Sequence, residues 1–307
     1  MSMAVLVRKE SERNTLVLFL TGISAFFILW GDLEVFAGVH FRSADLSGQW
    51  RVACGFLKNQ NDMSTFLALF SPLFLISLIT RREPYWKVPS LFLFLNGFLL
   101  IYMNSSRINI AGFLLQIVVF VYLMNKRAVI YALLAGAVLL TLVDITGIYD
   151  VFGKIFGFIR AYTNDNSFIT RFNMGLNSIL LTADRLSIGV GAGNMEHYIA
   201  DYTVLYVEHR ITSPHNFWAE LLGEYGIILF TGFLWIYGNI LVTLYRSVTA
   251  DRKNITAAVI FTIMLGFSIH VLSSSSIFAQ KHIWILFGLA AVMWSSEKEK
   301  IKTKSVF

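Results

Sequence analysis

Residues 88–124 read VPSLFLFLNGFLLIYMNSSRINIAGFLLQIVVFVYLM, and this stretch decides the fold class. Two apolar runs, 88–103 and 108–124, flank one short polar corner, Asn104-Ser105-Ser106-Arg107. A hydrocarbon core of about 30 Å needs a helix of about 20 apolar residues to cross it. Two such runs joined by four polar residues therefore read as a membrane hairpin with its corner at one surface.

Working outward, further apolar runs at 15–31, 63–80, 128–148, 216–245, 254–272 and 279–294 bring the expected number of spans to eight. The composition agrees: of 307 residues 56% are hydrophobic and only 14% charged, and the mean hydropathy is +0.64. An ordinary soluble domain carries about 25% charged residues. The expected architecture is all-α and polytopic, one membrane domain over residues 1–307 with about eight transmembrane helices. Residues 149–215 form one long extracytoplasmic loop within it. No separate soluble catalytic domain fits in the remainder. The first run is expected to stay on the protein as a helix. It follows the charged Arg8, Lys9, Glu10, Glu12 and Arg13, and its Trp30-Gly31-Asp32 end lacks a small-x-small cleavage site.

The formal charge of +6 does not point to nucleic acid. A phosphate-reading surface gathers its Lys and Arg on one folded face, whereas here they lie between apolar runs. A single cysteine, Cys54, excludes an internal disulfide and any multi-cysteine metal site. Orientation follows from the cations, because short loops rich in Lys and Arg stay in the cytoplasm. Arg8, Lys9, Arg13, Arg81, Arg82, Lys87, Lys126, Arg127, Arg246, Arg252, Lys253, Lys298, Lys300, Lys302 and Lys304 all fall on one side of the alternation. They are fifteen of the 25, so both termini are expected inside a cytoplasmic membrane. The outer side then carries residues 32–62, the Asn104–Arg107 corner, the long loop, and the serine-rich link at Ser273 to Ser276. Within the long loop Phe168, Phe172, Leu176, Ile179 and Leu180 recur at helical spacing, with Arg171, Asn173 and Asn177 on other faces. An amphipathic helix folded back over the membrane is expected there.

The outer segments hold the polar residues that need a reason. His215 lies in Ser213-Pro214-His215-Asn216-Phe217-Trp218-Ala219-Glu220, where loop turns into span. A helix N-terminus disfavours imidazolium and keeps such a ring neutral near pH 7, able to take a proton. The same residues also suit a plain helix start whose polar side chains satisfy free backbone N–H groups. Arg107 stands against the positive-inside trend and needs an anionic partner, either a lipid headgroup or a diphosphate held by its guanidinium fork. Arg171, Arg185 and Arg51 raise the same question, with a solvated surface arginine as the other answer for each. Glu220 and Glu224 share a helix face roughly 140 to 180 degrees from His215 at 100 degrees per residue, so neither is its direct partner. Carboxylates in a span face an interior or a wet cavity, in a proton relay or in packing.

Other polar features are weaker. Gly189-Val190-Gly191-Ala192-Gly193-Asn194 lacks the preceding strand and the Lys of a nucleotide loop and reads as a tight turn after the amphipathic helix. His270 reads as a packing histidine, and His40, His197 and His209 lack zinc-like spacing.

In their order and sidedness these segments resemble the bacterial O-antigen ligase and polysaccharide polymerase family. These are integral-membrane glycosyltransferases of GT-C-like fold that use undecaprenyl-diphosphate-linked glycans. Gly55-Phe56-Leu57-Lys58-Asn59-Gln60-Asn61-Asp62 resembles its Gly-Phe-x-x-Asn-x-Asn segment, and Asn104-Ser105-Ser106-Arg107 its Ser-Arg corner. Arg171-Phe172 and the glycine run resemble its long outer loop. Pro214 to Gly226 resembles its most recognisable signature. One span precedes Gly55 where family members usually carry several more, so the chain reads as a compact or N-terminally shortened member.

The resemblance implies His215, Arg107 and Arg171 as an outward-facing catalytic set, with Arg51, Asn61, Asn216 and Glu220 as substrate-binding candidates. It implies no metal and no cofactor. The implied partners are an undecaprenyl-diphosphate-linked oligosaccharide, a glycan acceptor and the bilayer, with no nucleic acid. The expected activity is metal-independent inverting transfer that polymerises or ligates surface polysaccharide of O-antigen, teichuronic acid or exopolysaccharide type. The alternatives are an O-antigen ligase acting on a lipid core and, in another class, a lipid-linked sugar transporter or flippase. A flippase would show internal repeats and polar residues at the midplane. Neither is evident in the sequence.

Overall fold

A computed structural model describes residues 7, 9–41, 50–57, 59–131, 134, 141, 166–185, 187–201, 216–273 and 280–304. Every regular element among them is helical: α1 (Glu10–Ala37), α2 (Gln60–Phe70), α3 (Phe74–Thr80), α4 (Pro84–Met103), α5 (Arg107–Met124), α6 (Asn166–Asp184), α7 (Met195–Asp201), α8 (Phe217–Ala250), α9 (Ile255–His270) and α10 (Lys281–Lys304). The protein is an all-α polytopic membrane protein. Among the described residues five spans are long and apolar enough to cross a bilayer, Glu10–Ala37, Gln60–Thr80, Pro84–Met103, Arg107–Met124 and Phe217–Ala250, and α9 is a shorter apolar helix. The run expected to span 128–148 lies almost wholly outside the described residues.

Side-chain burial shows why this sequence suits lipid and not water. Phe19, Phe26, Phe92, Leu95 and Trp235 point outward, and Trp235 is 72% exposed. Asn104, Asn109, Glu34, Ser64 and Thr65 are buried. In hydrocarbon an exposed apolar side chain costs nothing, whereas a polar group without a partner costs several kcal/mol. The polar side chains therefore turn inward and pair.

The chain divides into two compact units, Met1–Phe120 with Gly232–Phe307, and Val121–Thr231. In the first, the span Gln60–Thr80 is broken by a single 3-10 turn, Ser71–Leu73, that contains Pro72, which offers no N–H to the ladder. A Cβ on Gly97 would overlap the Ser71 side chain, so α4 crosses this turn at close range. The start of α2 is fixed by Asn59, whose side-chain oxygen accepts from the Asn61 and Asp62 amides at 2.9 Å each. α1 ends at Gly38, with φ 69°, where the Gly38 and Val39 amides close onto Glu34 and Leu33 carbonyls. Helix α9 is almost entirely enclosed; Ala257, Ile260, Ile263 and Phe267 are each 0% exposed. Tyr237 donates to the Met264 carbonyl. Its ring lies with Phe233, Phe267 and Phe287 in one aromatic cluster.

In the second unit α6 has the helical form expected, but the face it turns inward is not the apolar stripe. Met174, Asn177, Ser178, Leu181 and Thr182 are buried, and Phe172, Ile179 and Leu180 are exposed. Ser178 and Thr182 remain compatible with burial because each hydroxyl donates back to a carbonyl one turn earlier, Met174 and Ser178 respectively. Met174 and Leu181 pack with Met195 and Ile199 of α7.

Near the end of α10, Glu297 is buried beneath the α8–α9 turn. It accepts from Ser247 and from Lys300 Nζ at 2.8 Å, while Asn254 donates to Ser247 at 3.1 Å. Burial opposes its charge, yet the Lys300 and Ser247 hydrogen bonds and the Lys300 charge outweigh burial and hold the carboxyl below its ordinary value. A carboxyl depressed in the folded state adds stability above its unfolded pKa, and that stability is lost as pH falls through the folded value. Glu297→Gln should therefore lower the thermal midpoint in detergent at pH 7. The gap to wild type should close as pH drops below about 4.

Candidate functional site

The polar corner is built from two backbone breaks that face each other within the first unit. Residues 52–55 run as irregular chain into a 3-10 turn at Gly55–Leu57, and their backbone groups need partners. Asn104, 1% exposed, supplies two: its Oδ1 accepts from the Ala53 amide at 2.8 Å and its Nδ2 donates to the Ala53 carbonyl at 2.9 Å. It also donates to the Gln60 carbonyl and Ser64 Oγ, both at 3.1 Å. Glu34, 0% exposed, accepts the next two amides, Cys54 at 2.8 Å and Gly55 at 2.7 Å, on one carboxylate oxygen. His40 Nδ1 lies 3.6 Å from the other oxygen, and its Nε2 donates to the Trp50 carbonyl at 2.8 Å. Sequence reasoning did not single out Glu34. Its only signal was a carboxylate shortly before a glycine helix stop, in a chain with few acidic residues.

Arg107 is the first residue of α5 and is exposed. The turn before it places Ser105 at φ 55°, closed by its amide on the Tyr102 carbonyl at 2.9 Å. Ser106 follows, and its carbonyl accepts the Ile110 amide at 2.9 Å as the first bond of the helix. Asn61, half-buried, accepts from Ser106 Oγ at 3.4 Å. The structure thus brings Asn61 to the Arg107 corner. Arg51 is exposed, with its guanidinium 4.3 Å over the Trp50 ring.

In the second unit, α8 is interrupted where the sequence signature ends. Gly226 takes φ 72°, ψ 179°, a conformation essentially restricted to glycine. The carbonyls freed by this break are met by the glycine run: Val190 N–H donates to Gly223 O and Gly191 N–H to Glu224 O, each at 2.9 Å. In return Ile227 N–H donates to Ser187 O at 2.9 Å. Gly189, at φ 88°, comes so close that a Cβ there would lie 2.6 Å from the Glu224 carbonyl oxygen. The glycine run is therefore a backbone patch for a broken helix. Asn216 starts α8 as its cap, accepting from the Trp218 and Ala219 amides at 3.0 and 3.3 Å. Glu220 and Glu224 are buried at 7% and 5% exposure.

His215 lies outside the described residues, as does His209. Arg171 is placed only as a helical residue of α6. Arg185 is exposed beside the Tyr198 ring, 4.9 Å from its centroid. His270 is buried, with its Nδ1 2.8 Å from Asn109 Oδ1. Among the described residues, no three His, Cys, Asp or Glu side chains are grouped as a metal site.

These features define a class: a helical membrane protein whose polar side chains collect at breaks in its spans. A family model described as O-antigen ligase matches residues 90–234, which contain the Arg107 corner, α6, the glycine run and the start of α8. The chain is also 28% identical over 246 residues to the teichuronic acid biosynthesis protein TuaE of Bacillus subtilis (strain 168), a match covering 75% of this chain and 49% of that protein. The chain spans about half the length of the curated relative it matches. Both matches support the O-antigen ligase and polysaccharide polymerase family that the motifs resemble.

Two substitutions test this reading of the breaks. Asn104→Ala strands the Ala53 amide and carbonyl, at about 1 to 3 kcal/mol per orphaned buried group, and should lower unfolding stability by about 2 kcal/mol or more. Gly226→Ala forces a Cβ into the Ile188 backbone at a glycine-only φ, whereas Gly232→Ala, on the same helix in open space, meets nothing. Gly226→Ala should speed limited proteolysis around residues 187–194, and Gly232→Ala should match wild type.

Proposed function

We propose that this protein is a membrane glycosyltransferase that polymerises or ligates cell-surface polysaccharide. It would move glycan from undecaprenyl diphosphate to an acceptor hydroxyl at the outer face of the bacterial cytoplasmic membrane, with both termini inside. The observation that carries the reading is the O-antigen ligase match over residues 90–234. Within it lie Arg107, Arg171, His215 and the whole signature from Pro214 to Gly226. The relative's part in teichuronic acid biosynthesis supports a surface polysaccharide as product. α6, with Phe172, Ile179 and Leu180 exposed, would lie with that stripe in the membrane interface.

In this reading the acceptor oxygen attacks the anomeric carbon with inversion. A new carbon–oxygen bond forms as the bond from that carbon to the phosphate oxygen breaks, and its electron pair leaves with undecaprenyl diphosphate. His215 takes the hydroxyl proton, general base catalysis worth about 10² to 10⁴-fold. Arg107 and Arg171 hold the diphosphate and offset the charge that grows on it, an electrostatic contribution that is often the largest in catalysis. Because a diphosphate leaves readily, the step needs no general acid, metal or nucleotide sugar. Arg51, Asn61, Asn216 and Glu220 are the proposed substrate-binding residues, and Asn61 accepts from Ser106 beside Arg107.

The test is purified protein in proteoliposomes given a lipid-diphosphate oligosaccharide, with wild type, His215→Ala and Arg107→Ala run side by side. Wild type should give a product ladder, or a single transfer when a core acceptor is added. Each variant should lose at least about 100-fold of the rate while remaining folded in the membrane. Full product from both variants overturns the residue assignment. Lipid-linked sugar crossing the bilayer with no new glycosidic bond overturns the enzyme.

A further inference from the structure

We propose that His270, buried at the end of α9, is a positioning residue for the Arg107 corner, acting through a directional hydrogen-bond chain to Asn109 and Ser106. The inference rests on the role given to Arg107 above. His270 is 0% exposed, and its Nδ1 lies 2.8 Å from Asn109 Oδ1. The direction of that bond follows from the neighbours. Ser273 Oγ donates to the His270 carbonyl at 3.0 Å, so at 2.8 Å from Asn109 Nδ2 it must accept. That fixes the Asn109 amide with its oxygen toward the imidazole, and the imidazole carries its proton on Nδ1. Asn109 Nδ2 then donates to Ser106 Oγ at 2.9 Å, and Ser106 Oγ–H donates to Asn61 at 3.4 Å. The chain runs from the interior of the bundle to the residue before Arg107, and on to a residue proposed to meet the glycan.

The packing reserves space for this chain. A Cβ on Gly112 of α5 would lie 2.6 Å from His270 Cε1, so the imidazole occupies a notch that only glycine leaves. One turn on, the arrangement is mirrored, with Gln116 of α5 over Gly266 of α9. His270 Nε2 and both Gln116 amide atoms are buried without a hydrogen-bond partner among the described residues. Shape complementarity alone would be met at lower cost by apolar side chains, since orphaned polar atoms in a span are expensive. What the polar set adds is orientation. With Asn109 locked from below, Ser106 and the first turn of α5 have one rotation and one register, and these set where the Arg107 side chain begins. Misplacement of a reacting group by about 1 Å can cost on the order of 10²-fold in rate.

Variants of the 307-residue chain in proteoliposomes decide it, with turnover of lipid-diphosphate oligosaccharide and binding of a short-chain polyprenyl diphosphate as readouts. An asparagine amide stands as far from Cα as Nδ1 does and can donate to Asn109, whereas a glutamine amide reaches toward the unpartnered Nε2 position. His270→Ala and His270→Gln should lower kcat by about 10- to 100-fold, and His270→Asn should restore it to within about three-fold. Asn109→Asp keeps the acceptor for His270 but removes both donors, and should be as slow as His270→Ala. A merely structural role would make activity follow the unfolding midpoint, and would rank glutamine with asparagine. That ranking, or wild-type turnover in Asn109→Asp, overturns the inference. If Arg107→Ala itself binds the diphosphate and turns over normally, the Arg107 reading fails first. If Arg107→Ala is impaired while the His270 and Asn109 variants are not, only the positioning role fails.

Discussion

Inside a bilayer a backbone N–H or C=O has no water to turn to, and the form of this protein follows from where its chain must nevertheless leave the helix. Besides the 3-10 turn at Ser71–Leu73, three places among the described residues show how the freed groups are met. At 52–55 the Glu34 carboxylate and the Asn104 amide take the backbone groups. At 104–107 the turn is closed by Ser105 and Ser106. At Gly226 a second stretch of backbone, 187–191, supplies donors and an acceptor in register with the break. Each solution at 52–55 and at Gly226 uses residues far apart in the chain, so these breaks also tie distant segments together.

The same constraint explains where the polar side chains went. Asn109, Thr65, Ser273 and His270 form one connected set between α2, α5 and the end of α9. A set of this kind is stable only when its members are paired, and one lost partner exposes the others to the full cost of burial. It therefore specifies a single arrangement of those helices where Leu and Ile would permit several. The Arg107 corner rests directly on it. The segment matched by the family model, residues 90–234, includes this end of α5.

Much of this was legible in advance because lipid writes a long-range code into composition. Apolar runs of spanning length fix helices, and the polar corner between 103 and 108 fixes a reversal, with no need to know the neighbours. The glycine run was readable as a turn, since strand and Lys were missing for a nucleotide loop. α6 was readable as a helix from its period, but not its buried face. Periodicity finds an apolar stripe without saying whether lipid or protein lies against it. Asn177 and Ser178, polar in the sequence, proved to be inside.

The sequence by itself determined the all-helical membrane class, most span positions, the corner that carries Arg107 and the motifs that resemble the O-antigen ligase family. Each of these depends on local composition or spacing, which the chain displays in order. The tertiary structure alone decided that Glu34 and Asn104 hold residues 53–55, that residues 187–191 repair the break at Gly226, and that His270 connects to Ser106 through Asn109. Those pairings join residues separated by tens to more than a hundred positions. Their partner choice is set by the cost of leaving a buried polar group unmet, which acts only once the helices are packed.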